Sequence, residues 1–163
     1  MISRIKDLII AHIGEQAVVR MEEEHLQPTL VVAADHLVKI AFYLRDTEGC
    51  YFDFLSNISA VDYHPDNRFA VVYHLASIPY QTQLILKVEI ENDRRLDSLP
   101  EVPSVAAVWR TADWHEREAF DLMGIFFTGH PDLRRILLPD DWQGYPLRKD
   151  YEDAETYHGI AIK

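Results

Sequence analysis

Thr82-Gln-Leu-Ile-Leu-Lys-Val-Glu-Ile-Glu91 is the stretch on which the fold turns. Leu84, Leu86, Val88 and Ile90 alternate with Ile85, Lys87 and Glu89, so one parity is wholly apolar and the other carries charge. Successive side chains of a strand point to opposite faces, and this pattern is that of a strand with one face buried. Two further runs of β type precede it, Tyr51–Tyr63 and Phe69–Ser77, separated by His64-Pro-Asp-Asn67 and by a short stretch around Pro79.

Upstream of these strands, Ile2, Ile5, Ile9 and Ile13 recur at three- and four-residue steps and predict a helix over 2–13 that ends near Gly14. Ala17–Met21 and Thr29–Val32 read as two short strands joined by a charged, proline-containing turn. Asp35 is placed to cap a second helix, whose inner face is Leu37, Ile40, Ala41 and Leu44 and which stops before Gly49. Past Glu91, residues 93–105 hold Pro100 and Pro103 and read as a connection. A third helix is expected to start at Asp113 as N-cap, with Glu116 three positions on as in a capping box, and to end at Gly124.

From Phe126 onward no period of 2 or 3.6 is sustained, and Gly129, Pro131, Pro139, Gly144, Pro146 and Gly159 punctuate the chain. The order of elements predicts an α+β fold: a two-layer domain with a mixed five-stranded sheet and helices on one face. It would span residues 1–125, with 93–112 as the connection into the last helix, and be followed by an extended C-terminal segment over 126–163. A stretch this long without periodic structure is more often functional or partner-bound than idle.

Composition narrows the function classes. A chain of 163 residues suits one domain, and 48% apolar residues suffice for a core. Sixteen basic against 27 acidic residues give a net charge of −11, which opposes binding to nucleic acid or to anionic lipid. Cys50 is the single cysteine, so no internal disulfide or self-contained thiolate metal site can form. No run reaches the ~18 apolar residues needed to span a bilayer. Met1–Ile10 resembles neither a signal peptide nor a transit peptide, so direct membrane insertion is not expected. The charge is uneven. Residues 111–151 carry five basic and eight acidic residues, with Arg134/Arg135 and Arg148/Lys149 as basic pairs, a mixed pattern that points to a protein partner.

Catalytic motifs fail on inspection. His115-Glu116-Arg117-Glu118-Ala119 begins as a helical zinc-protease motif does, but Ala119 stands where the second histidine must be. On a helical wheel His115 falls with Ala119, Leu122 and Met123, at the edge of the core. Gly124 and Gly129 have P-loop spacing, yet His130-Pro131 replaces the Lys and Ser/Thr that reach phosphate and magnesium. No G-x-G-x-x-G or G-x-S-x-G follows a predicted strand. An independent metalloenzyme would have to use His115, His130 and nearby carboxylates. Trp114, Arg117, Glu118 and Asp121 form one narrow stripe of the third helix, and two readings of it stand: a solvated face, or a contact surface of the kind in which Trp and Arg are enriched.

The run Glu116-Arg117-Glu118-Ala119-Phe120-Asp121-Leu122-Met123, six residues, then His130-Pro-Asp-Leu-Arg134-Arg135-Ile136-Leu137 resembles the signature of one family of bacterial respiratory complex I, the proton-pumping NADH:quinone oxidoreductase (NDH-1): the hydrophilic subunit designated C. The likeness continues through Leu138-Pro139, Asp141-Trp142 and Gly144-Tyr145-Pro146-Leu147-Arg148-Lys149-Asp150-Tyr151, and upstream through Val61-Asp62-Tyr63 and Phe69–Leu75. The resemblance implies a non-catalytic structural subunit of the peripheral arm, supporting electron transfer from NADH to quinone coupled to proton translocation. It implies no cofactor in this chain, with FMN and iron–sulfur clusters in partner subunits. The implied partners are the quinone-reducing subunit (designated D) and the cluster-bearing subunit (designated B), at the cytoplasmic face of the bacterial inner membrane. The implied partner interface is Glu116, Arg117, Glu118, Asp121, His130, Arg134, Arg135, Arg148, Lys149 and Asp150. Related modules occur in membrane-bound hydrogenases and in deazaflavin- or ferredoxin-linked dehydrogenases, which is the alternative setting. Sign match at helical spacing further suggests that Glu118 and Asp121 pair with Arg134 and Arg135, folding the segment back on the third helix.

Overall fold

The isoleucine ladder folds as expected into α1 (Ile2–Ile13), with Ile2, Ile5 and Ile9 buried. In the computed structural model, which describes residues 1–23 and 27–162, the chain continues through β1 (Val18–Glu22) and β2 (Thr29–Val32) to α2 (Leu37–Asp46). Then come β3 (Phe54–Asp62), β4 (Arg68–Ser77), β5 (Thr82–Glu91), β6 (Glu101–Pro103) and α3 (Ala112–Met123). The chain ends with β7 (Phe126–Thr128), β8 (Thr156–Tyr157) and β9 (Ile160–Ala161). The turn expected between β1 and β2 falls, at residues 24–26, outside the described residues.

Five strands form one mixed sheet in the order β1-β2-β5-β4-β3. β3, β4 and β5 are joined antiparallel, while β2 lies parallel to β5 with Leu30 beside Leu86. The alternation read in Thr82–Glu91 sets which face is inside. Leu84, Leu86 and Val88 are buried, and the register places Leu75, Tyr73 and Val71 of β4 against them. Leu37, Ile40, Ala41 and Leu44 of α2 join the same cluster, as do Ala112, Ala119 and Met123 of α3, so the helices share one face of the sheet. The other face is laced with charge: Arg20 donates to Glu22 and Glu89, and Lys87 lies 3.2 Å from Glu89.

Three local expectations are corrected. Asp35 does not cap α2, because it lies within a short 3-10 turn (Ala34–His36) that leads into the helix and leaves His36 as N-cap. Asp113 is not the N-cap of α3. Thr111 is, and Asp113 sits in the first turn where Arg117, one turn on, takes its carboxylate at 2.6 Å. The capping box therefore does not form, and Glu116 points inward instead. The predicted strand from Tyr51 begins only at Phe54, since Tyr51 has φ +42°, a left-handed conformation that interrupts an extended chain.

The connection into α3 also holds structure that periodicity could not reveal. β6, three residues long, pairs parallel with β7 (Val102 beside Phe127), so a boundary at 125/126 falls immediately before a strand that closes back on the domain. Trp109 reinforces this region by donating its indole N–H to the Phe52 carbonyl at 3.0 Å.

If the parity of β5 sets the inside, Leu86→Ala should lower the urea unfolding free energy by about 2–5 kcal/mol, the usual cost of a leucine-sized cavity. Ile85→Ala, on the opposite face of the same strand, should cost about 1 kcal/mol or less.

Candidate functional site

The C-terminal segment buries little apolar surface of its own and is tied to the domain by three charged clusters. The first centres on Asp121, fully buried in the last turn of α3. Its Oδ2 accepts the backbone N–H groups of Ile136 (2.9 Å), Leu137 (2.6 Å) and Leu138 (3.0 Å). Its Oδ1 accepts from Arg135 at 2.8 Å. Arg135 also donates to the carbonyls of Asp121, Trp142 and Gly144, so one guanidinium links α3 to two turns of the tail. Burial pushes the Asp121 carboxyl upward, but the Leu138, Leu137 and Ile136 amides and Arg135 outweigh it and hold the group below the usual carboxylate range.

The expected fold-back is thus half right. Asp121 pairs with Arg135, whereas Glu118 does not meet Arg134. Arg134 instead turns to Asp132 at 2.9 Å and stays exposed, because the amides of 136–138 fix the backbone with Arg135 inward and its neighbour outward.

The second cluster ties the tail to the sheet. Asp62, at the end of β3 and on the buried parity, is bound by Arg94 through both carboxylate oxygens. It also accepts the Lys149 N–H at 2.9 Å and the His64 N–H at 2.8 Å. Desolvation opposes ionisation here, yet Arg94 and the two amides bring the Asp62 pKa down to about 2. Arg94 also reaches Asp150 at 3.2 Å. Next to it the buried Arg148 donates to the Met123 and Gly124 carbonyls at 2.8 and 3.2 Å and lies 4.9 Å from the Tyr145 ring centre. Gly124 ends α3 at φ +66°, and a Cβ there would come within 2.6 Å of the Tyr145 ring and 2.8 Å of Arg148. Glycine at this position thus serves both the left-handed helix end and the seat of the tail.

The third cluster lies at the start of α3. The Glu116 carboxylate, fully buried, accepts from Ser104 Oγ (2.5 Å) and from the Val105 N–H (2.7 Å). His130 Nδ1 accepts the Asp132 N–H at 3.0 Å, which assigns the proton to Nε2, 3.2 Å from the Asp113 carbonyl. Arg117 closes the group, bonded to Asp113 and stacked 4.7 Å from the Trp114 ring centre. Burial drives the Glu116 pKa up to about 7, the Ser104 and Val105 bonds only partly offsetting it. The Tyr73 hydroxyl, fully buried and without a hydrogen-bond partner among the described residues, is likewise held neutral by desolvation and by Glu116.

The structure therefore divides the ten residues named from the sequence. Glu116, Arg117, Asp121, His130, Arg135 and Arg148 face inward and bind within this chain. Glu118, Arg134, Lys149 and Asp150 remain on the surface. The stripe on α3 splits in the same way: the chain's own tail covers Arg117 and Asp121, while Trp114 (61% exposed) and Glu118 stay open. Asp62, Arg94 and Ser104 were missing from the named set. Asp62 had a signal, a charge in phase with the buried parity of a strand, whereas Arg94 and Ser104 lie in aperiodic chain. No group of three or more His, Cys, Asp or Glu among the described residues is arranged to hold a metal.

Fold and clusters together define the class: an α+β domain carrying a C-terminal segment fastened by buried ion pairs and backbone-to-carboxylate bonds. A family model described as the respiratory-chain NADH dehydrogenase 30 kDa subunit matches residues 30–157, and the chain belongs to that family. It is 47% identical over 148 residues to the NADH-quinone oxidoreductase subunit designated C of Chloroherpeton thalassium, covering 90% of this chain and 59% of that one. With the subunit of the same designation from Moorella thermoacetica it shares 49% over 124 residues, covering 76% of this chain and 79% of the relative. The chain thus spans under two thirds of the length of the first of these relatives. A solved archaeal respiratory membrane complex, the membrane-bound sulfane sulfur reductase, contains a chain of like fold at TM-score 0.73 and 24% identity, covering 92% of this chain and 85% of that one.

Two measurements check the clusters. Arg135→Ala strips Asp121 of its buried counter-charge and should cost about 3–5 kcal/mol in urea unfolding, whereas Arg134→Ala should change stability by about 0.5 kcal/mol or less. Glu116 governs a pH window. Its folded pKa is raised, so the stabilisation it gives is complete below its ordinary value of 4.5 and is lost as pH rises toward about 7. Between pH 5 and pH 8 the wild type should lose about 1–3 kcal/mol that Glu116→Gln, which keeps both hydrogen bonds without ionising, does not lose.

Proposed function

We propose that the chain acts as the C-designated component of an NADH-quinone oxidoreductase, a non-catalytic structural subunit of the peripheral arm. The family description and the relatives' names support an NADH- and quinone-linked setting over the hydrogenase or deazaflavin- and ferredoxin-linked alternatives. The observation that carries the structural role is the Asp121–Arg135 cluster. It fixes a segment without a core of its own so that Arg134 and Leu137 (61% exposed) project from one rigid turn next to α3.

Electrons would pass from NADH to quinone through neighbouring chains, with the coupled proton translocation, while this chain fixes their relative positions. Displacing reacting groups by about 1 Å can cost about a hundredfold in rate, so such a subunit matters without touching the chemistry. FMN and iron–sulfur clusters are assigned to partner subunits, in keeping with a chain whose one cysteine, Cys50, is buried. The quinone-reducing and cluster-bearing subunits are the proposed partners, meeting the outward residues Glu118, Arg134, Lys149 and Asp150 together with Trp114. Charges of both signs at such a contact set register more than raw affinity. No helix among the described residues is long and apolar enough to cross a membrane. Attachment to the cytoplasmic face of the inner membrane would therefore run through the complex.

Co-expression with the candidate quinone-reducing and cluster-bearing subunits tests this. The chain should enter a stoichiometric three-subunit assembly. The double variant Arg134→Glu, Leu137→Asp should reduce uptake by about tenfold or more, as expected for charge reversal at a contact, with an unchanged melting curve. Undiminished uptake of that variant, or steady NADH oxidation by the isolated chain, would overturn the reading.

A further inference from the structure

One edge of the main sheet is open over a short, well-bounded stretch. The Tyr63 N–H donates to the Arg68 carbonyl at 3.1 Å, and the β3–β4 register continues with Val61 opposite Ala70, Ser59 opposite Val72 and Asn57 opposite His74. Hydrogen-bonded and non-hydrogen-bonded pairs alternate along an antiparallel ladder. Asn57, Ser59 and Val61 therefore direct their backbone groups to β4, and Ile58 and Ala60 direct theirs to the free side. Among the described residues no other element bonds to the N–H or C=O of Ile58 or Ala60. The stretch is flanked at both ends: the Leu55 carbonyl accepts from Thr111 Oγ1 at 3.2 Å, and at the other end Arg94 and the Lys149 N–H converge on the Asp62 side chain.

A groove of about 200 Å³ runs beside this open stretch, with Ile58 and Ala60 on one wall, His115, Glu118 and Leu122 of α3 on the other, and Leu147 of the tail at one end. Leu147 is itself held in place, its N–H donating to the Leu122 carbonyl at 3.0 Å, although its side chain is 60% exposed. Glu118 makes no ion pair among the described residues.

We propose that this groove is a strand-addition site that takes an extended segment of a partner protein as a sixth strand beside β3. Two open residues at i and i+2 offer two donors and two acceptors in line, and an extended peptide backbone presents the matching set. A helical partner has its backbone groups already paired and cannot answer them. Every second side chain of the added strand faces α3, where Leu122 and Leu147 take an apolar residue, and Glu118 selects a neighbouring lysine or arginine. The shortness of the opening has its own logic, since a long bare edge would invite indiscriminate pairing. The inference stands on the groove alone and does not depend on which complex the chain enters.

The test uses the full chain and a synthetic seven-residue peptide of alternating valine and threonine with a central leucine and a lysine at each end. Its control carries N-methyl groups on the amides that would face β3. Saturating peptide should slow hydrogen exchange at the Ile58 and Ala60 amides by about tenfold or more, as expected when an open amide enters a ladder, and the methylated control should not. Glu118→Lys should weaken binding about threefold or more, as a rim charge reversal does. Ala60→Pro removes an outward N–H from an edge position that tolerates proline, and should abolish binding with an unchanged circular dichroism spectrum. Should that variant unfold, the methylated peptide decides the matter on the native chain. Unchanged exchange, or equal binding of the methylated peptide, would overturn the proposal. So would protection of Ile58 and Ala60 in the free chain, which would give the edge to its own tail, or to a second copy if light scattering then shows a dimer.

Discussion

The path of residues 130–144 depends on one buried carboxylate. Asp121 accepts three consecutive backbone amides and a guanidinium, a donor set of the kind that elsewhere cradles a bound anion. Here the anion is part of the chain. Because the donors come from residues 135–138 and the acceptor from a helix already packed on β3, a stretch with no periodic pattern acquires a defined path. A hydrophobic anchor would tolerate sliding, whereas amides at fixed spacing on a single oxygen admit one register.

That constraint explains what was legible in the sequence and what was not. The sheet, its buried parity and the faces of α1 and α2 were readable, because burying one face of a regular element leaves a periodic trace at Leu84, Leu86 and Val88 or at Ile2, Ile5 and Ile9. β6 left no trace, since three residues ending in Pro103 are too short for a period. The signature residues around α3 were conspicuous, but their direction was not. Arg117, Asp121 and Glu118 lie on one stripe of the helical wheel, and what separates buried from exposed there is the path of residues 130–138. That path is set by hydrogen bonds of one side chain to a distant backbone, which no local pattern records. A residue prominent in a family signature can therefore be prominent because it organises the chain's own surface.

Burial of charge serves different ends in the three clusters. Asp62 and Asp121 are fully satisfied and stay ionised, so they fix geometry at the cost of desolvation. Glu116 has only two donors against nearly complete burial, and its charge is disfavoured near neutrality. The domain thus combines two rigid fasteners with one whose ionisation responds to its surroundings. All three meet around α3, which also forms a wall of the open groove along β3.

The Asp62 cluster joins residues 87 positions apart, while the bonds made by Asp121 reach at most 17 positions along the chain. Closing a longer loop costs more entropy, and the shorter connection can form as soon as α3 docks. A chain emerging from synthesis N-terminus first would thus have its sheet and α3 in place, with Asp62 already holding Arg94, well before Lys149 arrives. The segment would be laid down as a zipper is, from the helix outward, its last fastening a check that the strand Asp62 terminates has already paired in register.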